Sequence, residues 1–286
     1  MPSLTLAERV AVTDQLDYAV LKYLLNNRGK FEYVPKSIIR DNTGLTNGEL
    51  EVSLLKLLKT GALLKTKVRG EDSYSITFTG LDILATKGLY AKRVLKRLGI
   101  VVGEGKESQV VYGYDFDDNL LVVKFHRVGR RSYKRNVRGD TTIKDWVLKT
   151  LENARREYEA MNCVKQNMGN VPKPLGLSIN AVALEFVEGV QLNKAELRDP
   201  QKALDSVLGT LRIAYVYCGG LVHGDLSPYN VMVDSSENVF VIDWPQATRD
   251  DILLINDLKN ILGHFKEKYG LDYDMDRVEE YVKGKA

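Results

Sequence analysis

Cysteine is scarce in this sequence. Cys163 and Cys218 are the only two, they stand far apart, and neither belongs to a Cys-x-x-Cys. That spacing predicts no disulfide framework and no zinc site, and it fits a reducing compartment. The three histidines, His126, His223 and His264, are scattered as well. No run of about 18 apolar residues occurs, so no transmembrane helix is expected. The opening MPSLTLAERVAVTDQ lacks the apolar stretch of a signal peptide. A cytoplasmic protein without a membrane role is the expectation. Internal repeats and low-complexity tracts are absent. Charge of one sign is also lacking in bulk: the net charge is +3, too small by itself to imply nucleic acid. What remains is ordinary globular material, 44% hydrophobic and 28% charged.

The first third reads as helices and a hairpin. Apolar residues at helical spacing (Leu6, Val10, Leu16, Val20, Leu24) predict a helix over 6–27 that stops at Arg28-Gly29. A short helix follows Val34-Pro35, with the proline at a start position. Thr46 with Glu49 three residues on forms a capping box for a helix over 47–59, buried through Leu50, Leu54, Leu57 and Leu58, and Gly61 stops it. Strands over 62–68 and 73–79, turned at 69–72, and a helix over 80–97 complete the order of a winged helix-turn-helix. The character changes at Gly99, from where strands and helices mix, and the boundary is expected near 88–98. The fold class is α+β: a winged-helix domain with its connecting helix over 1–92, then a compact bilobal kinase-like domain over 93–286, with lobes of about 93–185 and 189–286.

Four strings in the second domain carry chemistry. Gly103-Glu104-Gly105-Lys106-Glu107-Ser108 lies between strands at 99–102 and 109–114. Glycines let backbone N–H groups approach phosphate oxygens, and strand–loop–strand is the arrangement over ATP in protein kinases. A Walker loop is excluded, because Glu107 follows Gly-Lys where Ser or Thr would be needed. Lys124, inside the apolar Leu121–Phe125 run, suits a lysine that pairs with the α- and β-phosphates. It needs a carboxylate from a helix. The helix over 143–162 offers Glu152, Glu157 and Glu159, of which Glu157 is preferred. His223-Gly224-Asp225, with Asn230 five residues after the aspartate, matches a kinase catalytic loop: Asp225 orients or deprotonates a hydroxyl, and Asn230 offers an amide oxygen to a metal. His223 reads as a packing and hydrogen-bonding residue. Asp243, at the end of an apolar strand in Val-Ile-Asp-Trp-Pro-Gln, would meet Asn230 across a β-hairpin and complete a Mg²⁺ site.

Together GEGKES, VVKF, HGDLSPYN and VIDWPQ resemble the Rio family of atypical protein kinases. With a winged helix in front, the resemblance is to the Rio kinase 2 subfamily and covers nearly the whole chain. It implies ATP and Mg²⁺, or Mn²⁺, as cofactors. Gly103, Gly105, Lys106, Glu107 and Ser108 would cover the phosphates, and Lys124 would pair with Glu157. Adenine would meet the hinge at Glu185 and Val187. Asp225 would be catalytic, Asn230 and Asp243 would hold the metal, and Asp243 would also accept a phosphoryl group. The implied activity is serine/threonine phosphorylation, autophosphorylation or ATP hydrolysis during maturation of the small ribosomal subunit, with precursor rRNA and ribosomal proteins as partners. One departure is Trp244, where the subfamily usually has phenylalanine.

Only 43 residues follow Asp243 and no Ala-Pro-Glu is among them, which leaves little room for an activation segment and the usual helical lobe. The basic stretch 127–138, with six Lys/Arg and no acid, suits RNA phosphates. Within it Tyr133 could stack on a base and Ser132 could be phosphorylated. The winged helix is a second RNA candidate, although the 47–59 helix is not strongly basic. Two other functions compete: a small-molecule phosphotransferase of the aminoglycoside or choline kinase type, which shares HGDLxxxN, and a winged-helix nucleic-acid binder whose kinase fold only senses ATP.

Overall fold

The computed structural model describes residues 4–129 and 146–285. The basic stretch beyond Gly129, with Ser132 and Tyr133, and the expected helix start at 143 lie outside the described residues. The chain divides into two compact units. One runs up to Ala154 and includes Gly176–Ala183; the other takes Arg155–Leu175 and everything from Leu184.

The first unit opens with α1 (Leu6–Val12) and α2 (Gln15–Asn26), not with one helix over 6–27. The apolar period continues across the break, but Asp14 caps α2 through the N–H groups of Leu16 and Asp17, and Asp17 returns the bond to the Asp14 N–H. That reciprocal cap outweighs continuing the helix through Thr13. β1 (Val34–Pro35), α3 (Lys36–Thr43) and α4 (Asn47–Lys59) follow, and α4 carries the expected Thr46/Glu49 box. The wing is β2 (Leu63–Val68) with β3 (Glu71–Ile76), in sheet order β1-β3-β2. Its turn is two residues long where four were expected. Arg69 and Gly70 both take positive φ, which matches the strand twist and lets Glu71 pair with Val68 directly.

α5 (Phe78–Ala91) starts and ends earlier than the 80–97 reading, because Thr77 caps it and Arg93, at φ 57°, turns the chain. β4 (Arg97–Glu104), β5 (Ser108–Tyr114) and β6 (Leu120–His126) then form a sheet of order β4-β5-β6-β8-β7 with β7 (Pro174–Ser178) and β8 (Ala181–Glu185). Asp82 of α5 is fully buried and bonded to Arg127 and Asn180, and Asn180 also donates to the His126 carbonyl at 2.9 Å. A buried carboxylate requires such partners, so α5 is held against the end of β6. α6 (Trp146–Gln166) starts in this unit. Trp146 and Val147 join the winged-helix core, with the Trp146 ring 4.2 Å from that of Phe78 and under the Arg28 guanidinium.

The second unit holds the rest of α6, β9 (Gly189–Gln191), α7 (Pro200–Tyr217), the hairpin β10 (Val231–Asp234) and β11 (Val239–Val241), α8 (Asp251–Tyr269) and α9 (Met275–Val282). Its small sheet has the order β11-β10-β9. One expectation is overturned here. Cys163 of α6 and Cys218 at the end of α7 are joined in a disulfide, their Cα atoms 6.0 Å apart. Distance along the chain gave no sign of this; the packing of α6 and α7 decides it.

Candidate active site

Each unit presents its own part of the chemistry. In the first, the Gly103–Ser108 string is the tip of the β4–β5 hairpin, closed by the Gly105 N–H donating to the Ser108 carbonyl at 2.9 Å. Neither Gly103 nor Gly105 has positive φ, and a Cβ at either would make only ordinary contacts. The fold itself does not demand glycine there. What a side chain would occupy is the space over an exposed loop, where Lys106 and Glu107 also lie. Lys124 sits on β6 opposite Val110 and is buried, only 8% exposed. An ammonium that far from water is a charge the structure must compensate.

In the second unit Glu157 on α6 is fully buried, whereas Glu152, still in the first unit, and Glu159 are exposed and Glu159 pairs with Arg155. Glu185 ends β8 in paired bonds with Lys173, one from its own N–H and one to its carboxylate, and Val187 follows half-buried.

The remaining three predicted residues are brought together. Val231 pairs with Val241, and the Ile242 N–H donates to the Asn230 carbonyl at 2.9 Å, so Asn230 and Asp243 flank the open end of the β10–β11 hairpin. The Asn230 side-chain nitrogen donates to the Asp225 carbonyl at 2.8 Å. That commits the nitrogen and leaves the amide oxygen as the free donor atom. Asp243 adopts φ 68°, a left-handed backbone that a non-glycine residue holds only where its surroundings impose it. An amide oxygen and a carboxylate are the hard ligands that suit Mg²⁺, which keeps much of its hydration. Among the described residues no cluster of three or more acidic, His or Cys side chains could hold a metal by itself.

His223 joins the two loops. Its Nε2 lies 2.9 Å from the Ile242 carbonyl and its Nδ1 accepts the Asp225 N–H at 3.3 Å. The ring is fully buried, and burial pushes it below the ordinary histidine pKa. An Nδ1 that accepts an N–H and an Nε2 that faces a carbonyl oxygen are the two partners of a neutral ring with its proton on Nε2. Gly224 between them has φ 83°, and a Cβ there would come within 2.6 Å of the Gln246 carbonyl oxygen. Trp244 fills the space beside His223, ring centroids 4.6 Å apart, and its indole N–H donates to the Val241 carbonyl. The larger ring is thus fully accommodated.

Sequence reasoning missed Asp257 and Asn260 of α8. Asp257 accepts the N–H groups of Gly224 at 2.8 Å and Leu226 at 2.7 Å, and Asn260 donates to the Leu226 carbonyl. Burial raises the Asp257 carboxyl above its usual range, while the two N–H bonds pull it back. The available sign was an aspartate inside the apolar stripe Leu254, Leu258, Ile261, Phe265.

A winged helix ahead of a β-rich lobe bearing a buried lysine, and a helical unit that gathers Asp225, Asn230 and Asp243 at the open end of a hairpin, define a protein-kinase-like enzyme. The RIO domain model matches residues 109–278, and the Rio2 N-terminal model matches residues 11–93. The chain belongs to the RIO family and is an atypical protein kinase. It is 28% identical over 272 residues to the RIO-type serine/threonine-protein kinase Rio2 of Methanocaldococcus jannaschii, covering 88% of this chain and 98% of that protein. It is 26% identical over 290 residues to the serine/threonine-protein kinase RIO2 of Saccharomyces cerevisiae, covering 97% of this chain and 65% of that protein. It spans under half of the Dictyostelium discoideum relative, 42% of its length at 29% identity, with 75% of this chain covered. The Rio2 kinase from Chaetomium thermophilum, solved as an ADP/Mg²⁺-phosphoaspartate complex, shares the fold with a TM-score of 0.82 at 21% identity, over 97% of this chain and 88% of that one. Among the described residues no helix is long and apolar enough to cross a membrane.

Proposed function

We propose that this chain is an ATP- and Mg²⁺-dependent serine/threonine kinase and ATPase that acts in the cytoplasm on precursors of the small ribosomal subunit, with rRNA and ribosomal proteins as partners. The division is taken at 92/93, winged helix before and kinase domain after. One observation carries the chemistry: a single hairpin and the His223 ring hold Asp225, Asn230 and Asp243 in one place. The Chaetomium relative with ADP, Mg²⁺ and phosphoaspartate supports the same cofactors and acceptor here.

Gly103, Gly105, Lys106, Glu107 and Ser108 then cover the phosphates. Lys124, held by Glu157, grips the α- and β-phosphates, and Glu185 and Val187 meet the adenine. Asn230 and Asp243 would hold Mg²⁺, which would neutralise the charge that develops in phosphoryl transfer. A carboxylate oxygen of Asp243 attacks the γ-phosphorus, the bond to the β-bridging oxygen breaks, and ADP leaves with that electron pair. Water then releases phosphate from the aspartyl phosphate. On the kinase route, a serine or threonine hydroxyl attacks the γ-phosphorus while Asp225 takes its proton, the bond to the bridging oxygen breaks and ADP leaves with that electron pair. RNA contact through 127–138, with stacking by Tyr133 and modification of Ser132, belongs to the same reading, as does contact through the winged helix.

Purified protein incubated with Mg²⁺ and γ-labelled ATP is expected to acquire label that hydroxylamine removes, the behaviour of an acyl phosphate. Asp243→Asn abolishes that label, and Asp225→Ala abolishes hydroxylamine-resistant label on serine. Full activity in both variants would refute the assignment.

A further inference from the structure

Residues Lys87–Arg97 hold five cations, Lys87, Lys92, Arg93, Lys96 and Arg97, and no acid. They span the end of α5 and the start of β4, and the structure sets aromatic rings between them. The Lys87 ammonium lies 5.1 Å from the Tyr18 ring and 5.5 Å from the Tyr90 ring. The Tyr90 ring is 5.4 Å from Phe116, which the Arg93 guanidinium covers at 4.3 Å. Arg97 stacks on Tyr114 at 3.6 Å. Cations and rings alternate across one face of the first unit.

A cavity of about 360 Å³ opens within this face, with Tyr18, Lys87, Tyr90, Lys96 and Arg97 in its wall, α1 supplying apolar lining through Val10, and no carboxylate among its lining residues. The size falls within the range of small-molecule sites. Tyr90 is 48% exposed, so its ring is not committed to the core. Among the described residues Asp118 pairs with both Lys96 and Arg97, and Asp115 is occupied in its own turn with Asn119. Lys87 makes no ion pair among the described residues.

We propose that this face binds single-stranded RNA, with one base seated in the cavity against Tyr90 and the flanking phosphates on Lys87, Lys96 and Arg97. Rings interleaved with cations are what a single strand needs, because an unpaired base offers a π-face and its backbone offers charge. A duplex keeps its bases stacked inside and has none to seat. An acidic protein segment would engage the cations and leave the rings idle. The surface extends the RNA part of the proposed partnership, rests on that reading and contains none of the phosphoryl-transfer residues, so the two readings fail separately.

The test titrates the full chain into a fluorescein-labelled 12-nucleotide oligouridine RNA, followed by anisotropy at several KCl concentrations. Wild type is expected to bind with a strong salt dependence. The triple variant Lys87→Gln/Lys96→Gln/Arg97→Gln should weaken binding at least about tenfold and flatten the slope of log K against log salt by about 2. Tyr90→Ala should weaken it about ten- to a hundredfold and Tyr90→Phe should not, with turnover of labelled ATP unchanged throughout as the check on folding. Affinity and slope unaltered by these variants would overturn the proposal. So would equal binding of a duplex of the same length, or displacement of the RNA by an equal concentration of polyglutamate.

Discussion

Asp257 shows how one buried side chain can fix a reactive loop it does not belong to. It draws two backbone N–H groups of the His223–Leu226 stretch onto its carboxylate, from a helix that begins only after Asp250. Asparagine has the same shape but a weaker acceptor, and it turns an NH₂ group toward one of those N–H groups. A hydrogen bond to a charged partner contributes roughly 1.5–3 kcal/mol, so Asp257→Asn should lower labelled-ATP turnover about tenfold or more while circular dichroism stays native. Turnover equal to wild type would mean the loop is held without it. Gly224 and His223 belong to the same arrangement. The first is required by its positive φ and by the Gln246 carbonyl behind it; the second is required as a neutral ring offering one donor and one acceptor. The motif string alone names these positions, but it does not reveal that Asp257 and Asn260 sit behind them, because their reason for being polar lies in another segment of the chain.

At the level of elements, α6 is held at two places by quite different means. Its first turn is part of the winged-helix core through Trp146 and Val147. Truncating a large buried aromatic typically costs about 3–5 kcal/mol, so Trp146→Ala should shift the urea midpoint strongly, and Trp146→Phe, which keeps a ring near Phe78, by less than half as much. Further along, Cys163 ties α6 to the end of α7 across a sequence separation of 55 residues. A crosslink closing a loop of that size typically adds roughly 2–4 kcal/mol. Reductant should therefore lower the melting temperature of the wild type by several degrees and leave Cys163→Ser unmoved at its own lower value. If reductant shifted the two proteins equally, the crosslink would not be the cause. Helix starts were legible where the cap is local, as at Thr46 and Glu49. The break at Thr13-Asp14 was legible too, in the Asp14/Asp17 pair, yet the apolar period running through it pointed to one helix.

For the whole molecule, acid sensitivity follows from carboxylates that serve as caps and turn acceptors. Hydrogen bonds from Arg198, first its side chain and then its backbone N–H, hold Glu237 down from the ordinary 4.5 to about 2. Glu49, Asp115 and Asp234 are lowered through bonds from Thr46, Asn119 and Asn238, Asp14 chiefly through Lys56, and Asp251 through Lys283. A depressed folded-state pKa means that the unfolded chain takes up the proton first. The stabilisation is therefore complete above the unfolded value and is lost as pH falls through the folded one. Thermal melts from pH 7 downward should begin to decline once the pH falls below the ordinary histidine value of 6.5, where the unfolded chain protonates a ring that burial keeps neutral in the fold, and should fall further from about pH 4.5 toward pH 2. Arg198→Ala should remove part of that decline by lowering the starting stability; an unchanged profile would place the acid response elsewhere.

What the amino-acid order determined by itself is whatever short contiguous strings can encode: helix caps, strand periods, the glycine loop, and the His-Gly-Asp and Ile-Asp-Trp segments with their chemistry already spelled out. Tertiary structure alone decided the disulfide, the bracing of the catalytic loop by α8, the burial of Asp82 with Arg127, and the face where cations and rings alternate. Each of these joins residues whose proximity depends on how the intervening elements pack, and packing is a property of the assembled surfaces that no local stretch of chain carries.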